Sequence, residues 1–359
     1  MQDSQLVCYF VMPYTPIVLV NVSTAGCKPF PALLCSNRVM ALEYWAGYTR
    51  TLHGTDQMST LLQHWTANSA LLKVLCTDVE VAAAIAERGM PLHLFHVHTP
   101  VMPRQVFCTI GNYRCQLVES ALDADDGPGG PLAPSRRAAI EAEIVTRRRS
   151  GEPYVCLKSN VSVAGAYDEL CVPPDLHTLD WEVEIGVVIG RPAWQVRVDE
   201  AFEYIAGYCV VNDITLREQI FRQEPKAFGT DWLQSKSRPG WLPTGPWLVP
   251  SWSAPESTQF RPWLRLNGEL MQSGSASDMV FNIDEQIAYI SRHTRLDPGD
   301  LVCTGSPAGF GSHFNRYLRP GDVVEAGVDG LGAQRVLCIS QNGSQHKILA
   351  TLPRTGTSR

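Results

Sequence analysis

Apolar positions along the chain change their period several times, and those changes divide it into segments. From Leu6 to Val22 short apolar runs are interrupted by Pro13 and Pro16, a pattern that predicts a pair of strands. Met58 to Leu75 and Val79 to Glu87 carry apolar residues at helical spacing. Pro100 and Pro103 precede the apolar run Val106-Phe107-Cys108, so a new unit is expected to begin after residue 103, leaving 1–103 as a small α+β domain. The stretch from Ala121 to Pro134, rich in Gly and Pro, sustains neither period, and Ser135 is suited to N-cap a helix ending near Arg149. Residues 120–150 are therefore read as a lid or as a plain surface excursion. From Tyr154 onward the pattern is mainly β, with helices expected only at Asp199–Ile205 and Asp284–His293. Two Pro-Gly-Asp corners, Pro298–Asp300 and Pro320–Asp322, each lead into an apolar strand and imply local strand pairing. This second, β-rich unit is taken to span 104–345, with 346–359 as a tail.

The sharpest chemical signal is the segment Trp181–Gly190, Trp-Glu-Val-Glu-Ile-Gly-Val-Val-Ile-Gly. A period of two sends Glu182 and Glu184 to one face of an otherwise apolar strand. Two like charges there repel each other and resist desolvation, so they require a cation, a basic partner or open water. A third carboxylate, Asp213, closes the apolar run Ile205–Asn212, where a polar residue at a strand end sits at the mouth of a site. Hard oxygen donors with no His or Cys beside them suit Mg²⁺, Mn²⁺ or Ca²⁺ better than Zn²⁺. Glu-x-Glu alone is a weak signal, because a solvated strand face carries it just as well.

Composition narrows the partners. With 359 residues, 45% apolar and 18% charged residues and a net charge of -6, the chain reads as an ordinary globular protein with no bias toward nucleic acid. The basic run Arg147-Arg148-Arg149 suits a helix C-terminus better than a phosphate footprint. The 11 cysteines show no Cys-x-x-Cys pair and no framework spacing, which predicts reduced thiols and a cytoplasmic setting. The broken apolar stretch near the N-terminus is too short to span a bilayer, so no membrane association is expected.

Around the carboxylates, ordered motifs resemble the fumarylacetoacetate hydrolase superfamily. They are Leu179–Gly190, Ile205–Arg217, Ser235-Lys236-Ser237, Thr244-Gly245-Pro246, Leu266–Glu269 and Pro298–Gly309, and the likeness covers roughly residues 104 to 340. Leu61–Trp65 is similar to the small leading domain that some members carry. The resemblance implies an α+β, β-rich fold with a mixed β-roll catalytic domain, a homodimer, and one divalent cation, Mg²⁺ before Mn²⁺ or Ca²⁺, on Glu182, Glu184 and Asp213. It also implies a small oxo-acid substrate, an acylpyruvate or β-diketo acid cleaved by hydrolysis of a carbon–carbon bond. By position, Lys236 would meet the substrate's negative charge, the Gly305-Ser306 loop would contact its carboxylate through hydroxyl and N–H groups, and Arg217 and Gln219 would be further substrate contacts. Lys158 stands where relatives often carry lysine, as a substrate contact or a rim charge.

One departure stands out. The family's Asn-Tyr-x-x-His-x-x-Glu segment holds a His–Glu dyad that activates water, whereas here it runs Asn112-Tyr113-Arg114-Cys115-Gln116-Leu117-Val118-Glu119. Gln116 has no usable proton affinity near neutrality, so Glu119 acts alone, another residue substitutes, or the reaction needs no activated water. The last alternative covers a decarboxylase, an isomerase or another lyase, and a descendant that binds metal and ligand without turnover is a further one. His96 and His98 share a strand face but lack a third ligand, and His313, after the Gly309-Phe310-Gly311 turn, stands closer to the inferred site. The Thr304–Gly311 loop has no P-loop lysine and is not read as a nucleotide site.

Overall fold

The computed structural model describes residues 17–45, 51–126, 134–222, 224 and 226–341. The apolar run before Ile17, residues 127–133 of the Gly- and Pro-rich segment and the expected tail lie outside them. Strand β1 (Val18–Ser23) pairs antiparallel with β2 (Phe30–Cys35), and β2 with β3 (Arg38–Ala41). The β2–β3 turn is only Ser36-Asn37, both at positive φ (48° and 61°), a conformation whose twist matches that of the flanking strands. Three helices follow: α1 (Met58–Gln63), α2 (Trp65–Thr77) and α3 (Val79–Arg88), the last N-capped by the Asp78 side chain. Short strands β4 (Met90–Pro91) and β5 (His96–His98) complete this part.

Next come β6 (Val106–Ile110), α4 (Arg114–Asp126), α5 (Pro134–Ser150), β7 (Tyr154–Lys158) and β8 (Val163–Gly165). Beyond them lie β9 (Leu170–Val172), β10 (Leu179–Asp180), β11 (Val183–Ile189), β12 (Ile205–Asn212) and β13 (Thr215–Leu216). The rest is α6 (Trp232–Lys236), β14 (Leu242–Pro250), β15 (Pro262–Leu266), β16 (Glu269–Ser273), α7 (Ile283–His293), β17 (Leu301–Cys303), β18 (Val323–Val328) and β19 (Gly332–Ser340). The expected helix at Asp199–Ile205 is a 3₁₀ turn over Val198–Tyr204, and α6 was not expected.

A 12-stranded sheet runs β4-β3-β2-β1-β14-β12-β11-β17-β6-β7, with β5 on β1 and β8 on β14; a 5-stranded sheet runs β16-β15-β18-β19-β9. The architecture is the β-rich α+β one expected. Across the boundary expected at 103, β1 hydrogen-bonds to β14 through Leu19 and Leu248, so the first hundred residues extend the same sheet. Of the two Pro-Gly-Asp corners only the second gives local pairing. The first feeds β17, which joins β11 and β6 in the large sheet, and the second feeds β18, which forms a hairpin with β19 in the small one.

Every residue of β11 is buried, because both sheet faces are covered. Val183, Ile185, Val187 and Ile189 pack toward the small sheet with Leu264, Val324 and Val336. The opposite face takes Val188, Cys209 and Val211 into a core with Leu61, Leu62, Trp65 and Ile85 of the first three helices. By alternation Glu184 lies on this second face, toward the far end of the strand from Val188. One sheet face thus serves as hydrophobic floor at one end and acidic site at the other. Among the described residues no helix is long and apolar enough to cross a membrane, and every cysteine is free.

Candidate metal centre and active site

Glu182, Glu184 and Asp213 each offer a carboxylate oxygen within 4.8 Å of the others, and all are buried. The strand pairing causes this: Val183 is opposite Asn212, so the residues flanking that pair converge, and the Asp213 N–H donates to the Glu182 carbonyl at 2.8 Å. Cations neutralise part of the cluster. Lys158 Nζ donates to Asp213 Oδ1 at 2.6 Å, and Lys236 Nζ to Asp213 Oδ2 at 2.6 Å, to Glu182 Oε2 at 3.2 Å and to the Thr215 hydroxyl at 2.6 Å. Arg217 bridges Glu182 Oε1 and Asp180 Oδ2, each at 2.8 Å, while its guanidinium lies over the Phe310 ring. Burial opposes ionisation of Asp213, yet Lys158 and Lys236 outweigh it and hold the carboxyl at about 2.

Glu184 is different. Its Oε2 accepts the Gly305 N–H at 2.7 Å, and among the described residues no cationic side chain forms an ion pair with it. Burial first, then the charges of Asp213 and Glu182, hold its carboxyl well above the ordinary range. Four acids, Asp180, Glu182, Glu184 and Asp213, thus face three cations, Lys158, Lys236 and Arg217. A surplus buried carboxylate beside two others, all with hard oxygen donors, fits a divalent cation of the Mg²⁺ or Mn²⁺ type. Two orphaned polar atoms lie close by in sequence: Arg217 Nη2 and Gln219 Oε1 are buried with no hydrogen-bond partner among the described residues, leaving one donor and one acceptor for a ligand.

Other expected contacts are already engaged within the protein. Lys158 is no rim charge: it is buried, and besides Asp213 its Nζ serves the carbonyls of Ile214 and Trp241. The Gly305 N–H is spent on Glu184, and the Ser306 hydroxyl donates to the Val183 carbonyl while accepting from Gln272 Nε2. The loop therefore aims Glu184 rather than offering those groups to a substrate carboxylate.

Helix α4 carries Gln116 and Glu119. Its start is pinned by Asn112, which bonds the carbonyls of Phe281 and Thr304, and by Asp278, which accepts the Cys115 N–H. Gln116 is buried and its amide donates to Ser120 in the same helix at 2.8 Å. Glu119 Oε1 accepts the Gly309 N–H at 2.8 Å, and its Oε2 lies 3.8 Å from His313 Nε2. Burial raises the Glu119 carboxyl above its ordinary value against the pull of Gly309 and His313. His313 Nδ1 lies 3.0 Å from an Asp123 carboxylate oxygen. His96 and His98 stack edge to face in β5, remote in the sheet, and His98 Nε2 pairs with the Ser23 hydroxyl.

The sequence reasoning missed Asp180, Thr215, Asp123 and Gln272. The first two were within reach: Asp180 continues the alternation of Glu182 and Glu184, and Thr215 that of Asp213. Asp123 and Gln272 reach the site by tertiary contact alone.

With the geometry established, the family model described as fumarylacetoacetate (FAA) hydrolase C-terminal matches residues 105–337. The chain belongs to the fumarylacetoacetate hydrolase family. Among relatives in this family, 2,4-didehydro-3-deoxy-L-rhamnonate hydrolase of Sphingomonas sp. (strain SKA58) is 40% identical over 187 residues, which is 51% of this chain and 64% of that protein. The chain thus spans somewhat under two thirds of that relative's length. A Mycobacterium abscessus structure described as a probable 2-hydroxyhepta-2,4-diene-1,7-dioate isomerase matches with a TM-score of 0.62 at 29% identity, covering 90% of this chain and 99% of the other. Maleylpyruvate hydrolase of Sphingobium sp. SYK-6, solved with manganese(II) and pyruvate, matches with a TM-score of 0.63 and the same coverage, and at 17% identity it shares the fold alone. Fumarylacetoacetate hydrolase family members are thus hydrolases and isomerases, and the acidic cluster here could hold a metal ion.

Proposed function

We propose that the chain is a divalent-cation-dependent hydrolase that cleaves a carbon–carbon bond in a small 2,4-dioxo acid of the acylpyruvate type. The carrying observation is the convergence of Glu182, Glu184 and Asp213 with one carboxylate left unneutralised. The name of the 40%-identical relative, a 2,4-didehydro-3-deoxy acid hydrolase, supports this substrate class. Bound on these carboxylates, a divalent cation would supply Lewis acidity to the oxygens of a 2-oxo acid. The chain's own residues do the rest. Lys236 balances the buried charge, Arg217 Nη2 and Gln219 Oε1 offer an unused donor and acceptor, and α4 brings Glu119 over the loop that aims Glu184.

Isomerisation of an oxo-dienoate is a second reading, supported by the 29%-identical neighbour and by the glutamine at 116. Incubation with acylpyruvates while following enol absorbance and pyruvate release separates the two. Stripping with chelator and returning Mn²⁺ or Mg²⁺ should raise the thermal midpoint, and no shift with either ion would remove the basis of the proposal. We further propose a homodimer formed through the β7 edge. That edge strand, the turn after it and α6 expose Leu157 (62%), Val161 (54%) and Leu233 (74%), an apolar patch that a monomer would be expected to cover.

A further inference from the structure

We propose that His313, oriented by Asp123 and set against Glu119, is the general base that activates water in this chain. The inference rests on the hydrolytic reading above. Cleaving an acylpyruvate with water requires a group that accepts a proton near neutrality, and the glutamine amide at 116 cannot, its Nε2 being committed to Ser120. His313 instead brings a neutral imidazole, whose unprotonated ring nitrogen is a proton acceptor.

The geometry fits that task. His313 Nδ1 lies 3.0 and 3.1 Å from the two oxygens of Asp123, and a carboxylate there selects the tautomer with its proton on Nδ1. Nε2 is then left with a lone pair. It stands 3.8 Å from Glu119 Oε2, too far for a direct hydrogen bond, so two acceptors flank one position where a water can donate to both. Among the described residues, Glu119 and Asp123, both on α4, are the charged groups that face the ring, with Phe314 against its edge. The side chain keeps 28% exposure, enough for water to reach it.

The same loop connects this group to the carboxylate cluster. Gly305 holds Glu184, Gly309 holds Glu119 and accepts the indole N–H of Trp181 beside Glu182, and the Gly311 N–H is bound by Asp180. A base carried on this loop is therefore fixed relative to the acids that would bind the substrate.

In the step, Nε2 takes a proton from water as the water oxygen bonds to the acyl carbonyl carbon. The bond from that carbon to C3 then breaks, its electron pair passing into the 2-oxo acid as an enolate. The imidazolium returns the proton to C3. One acylpyruvate and one water give one carboxylic acid and one pyruvate, and His313 ends neutral.

Kinetics of the Mn²⁺-loaded full chain on an acylpyruvate test this. His313→Gln should lower kcat by about 100-fold or more with little change in KM, and leave the Mn²⁺-induced thermal shift intact. Adding Gln116→His in that background should recover at least part of the loss, which a merely structural role for His313 would not allow. Asp123→Asn, which removes a negative charge beside the ring, should move the acid limb of the kcat profile to lower pH. A loss below about threefold with an unchanged acid limb overturns the proposal, as does a second Mn²⁺ equivalent that disappears with His313. If the wild-type chain binds Mn²⁺ yet cleaves no acylpyruvate, the hydrolytic reading falls, and ¹⁵N NMR of the imidazole judges His313 separately. A neutral ring protonated on Nδ1 at pH 7.5, disturbed by Asp123→Asn, supports the assignment, and protonation on Nε2 refutes it.

Discussion

Lys158 is enclosed, with its ammonium shared among Asp213 and two backbone carbonyls. Removing Lys158 leaves Asp213 with Lys236 as its remaining cation, so the cost is at most that of a buried pair broken outright, about 3–5 kcal/mol. Lys158→Met should therefore lower the unfolding free energy of the metal-free chain by up to that amount in urea titration. Glu184→Gln should act in the opposite sense on the metal-free chain, because it removes the carboxylate that burial and its like-charged neighbours penalise. It should also abolish the rise in thermal midpoint given by Mn²⁺. At this scale the sequence was informative where alternation sets a direction, as for Glu182 and Glu184. It did not reveal that Lys158, read as a substrate contact or a rim charge, is spent inside, because that depends on Asp213, whose partnership arises only once β7 and β12 occupy one sheet.

The two Pro-Gly-Asp corners show how one local signal yields different elements. In both, the glycine sits at positive φ, 88° at Gly299 and 96° at Gly321, as the turn chemistry predicted. Their aspartates diverge. Burial holds the Asp300 carboxyl above its ordinary value despite donation from Asp297 and Gln105. Burial also opposes ionisation of Asp322, but donation from Asn267, Arg316 and the Arg319 N–H outweighs it and holds that carboxyl below its ordinary value. A depressed folded-state carboxyl stabilises above its unfolded value and loses that contribution as pH falls through the folded one. Asp322→Asn should thus cost about 1–3 kcal/mol at neutral pH and progressively less as the pH falls through the folded-state titration of Asp322, read from denaturant midpoints from neutral pH into acid. The turns were legible because Pro and Gly act within four residues. Their destinations were legible only in part: β18 pairs with the next strand β19, but β17 and the other edge of β18 choose neighbours by packing with segments far away in the chain.

For the whole molecule, the boundary expected at 103 is crossed by the β1–β14 pairing and by the core that α1–α3 share with β11 and β12. A chain lacking residues 1–103 should lose solubility, since the β14 edge at Leu248 would be opened and Val188, Val211 and Leu248 would lose their cover. Thermal unfolding of the full chain should show one transition by both calorimetry and fluorescence. Leu233→Asp, which places a charge in the exposed patch beside β7, should shift sedimentation from dimer to monomer while the thermal midpoint changes little.

The register of Leu19 against Leu248 also bears on biosynthesis. Strand β1 has its hairpin partner β2 at once and β5 soon after at Asn21–Ser23, but its edge at Leu19 must wait for β14, which is made much later. During that interval the nascent hairpin presents unpaired backbone and the apolar residues Leu19 and Leu33. Pairing so distant in sequence makes folding slow, so the yield of native protein should depend on translation speed and on chaperones that shield an early strand.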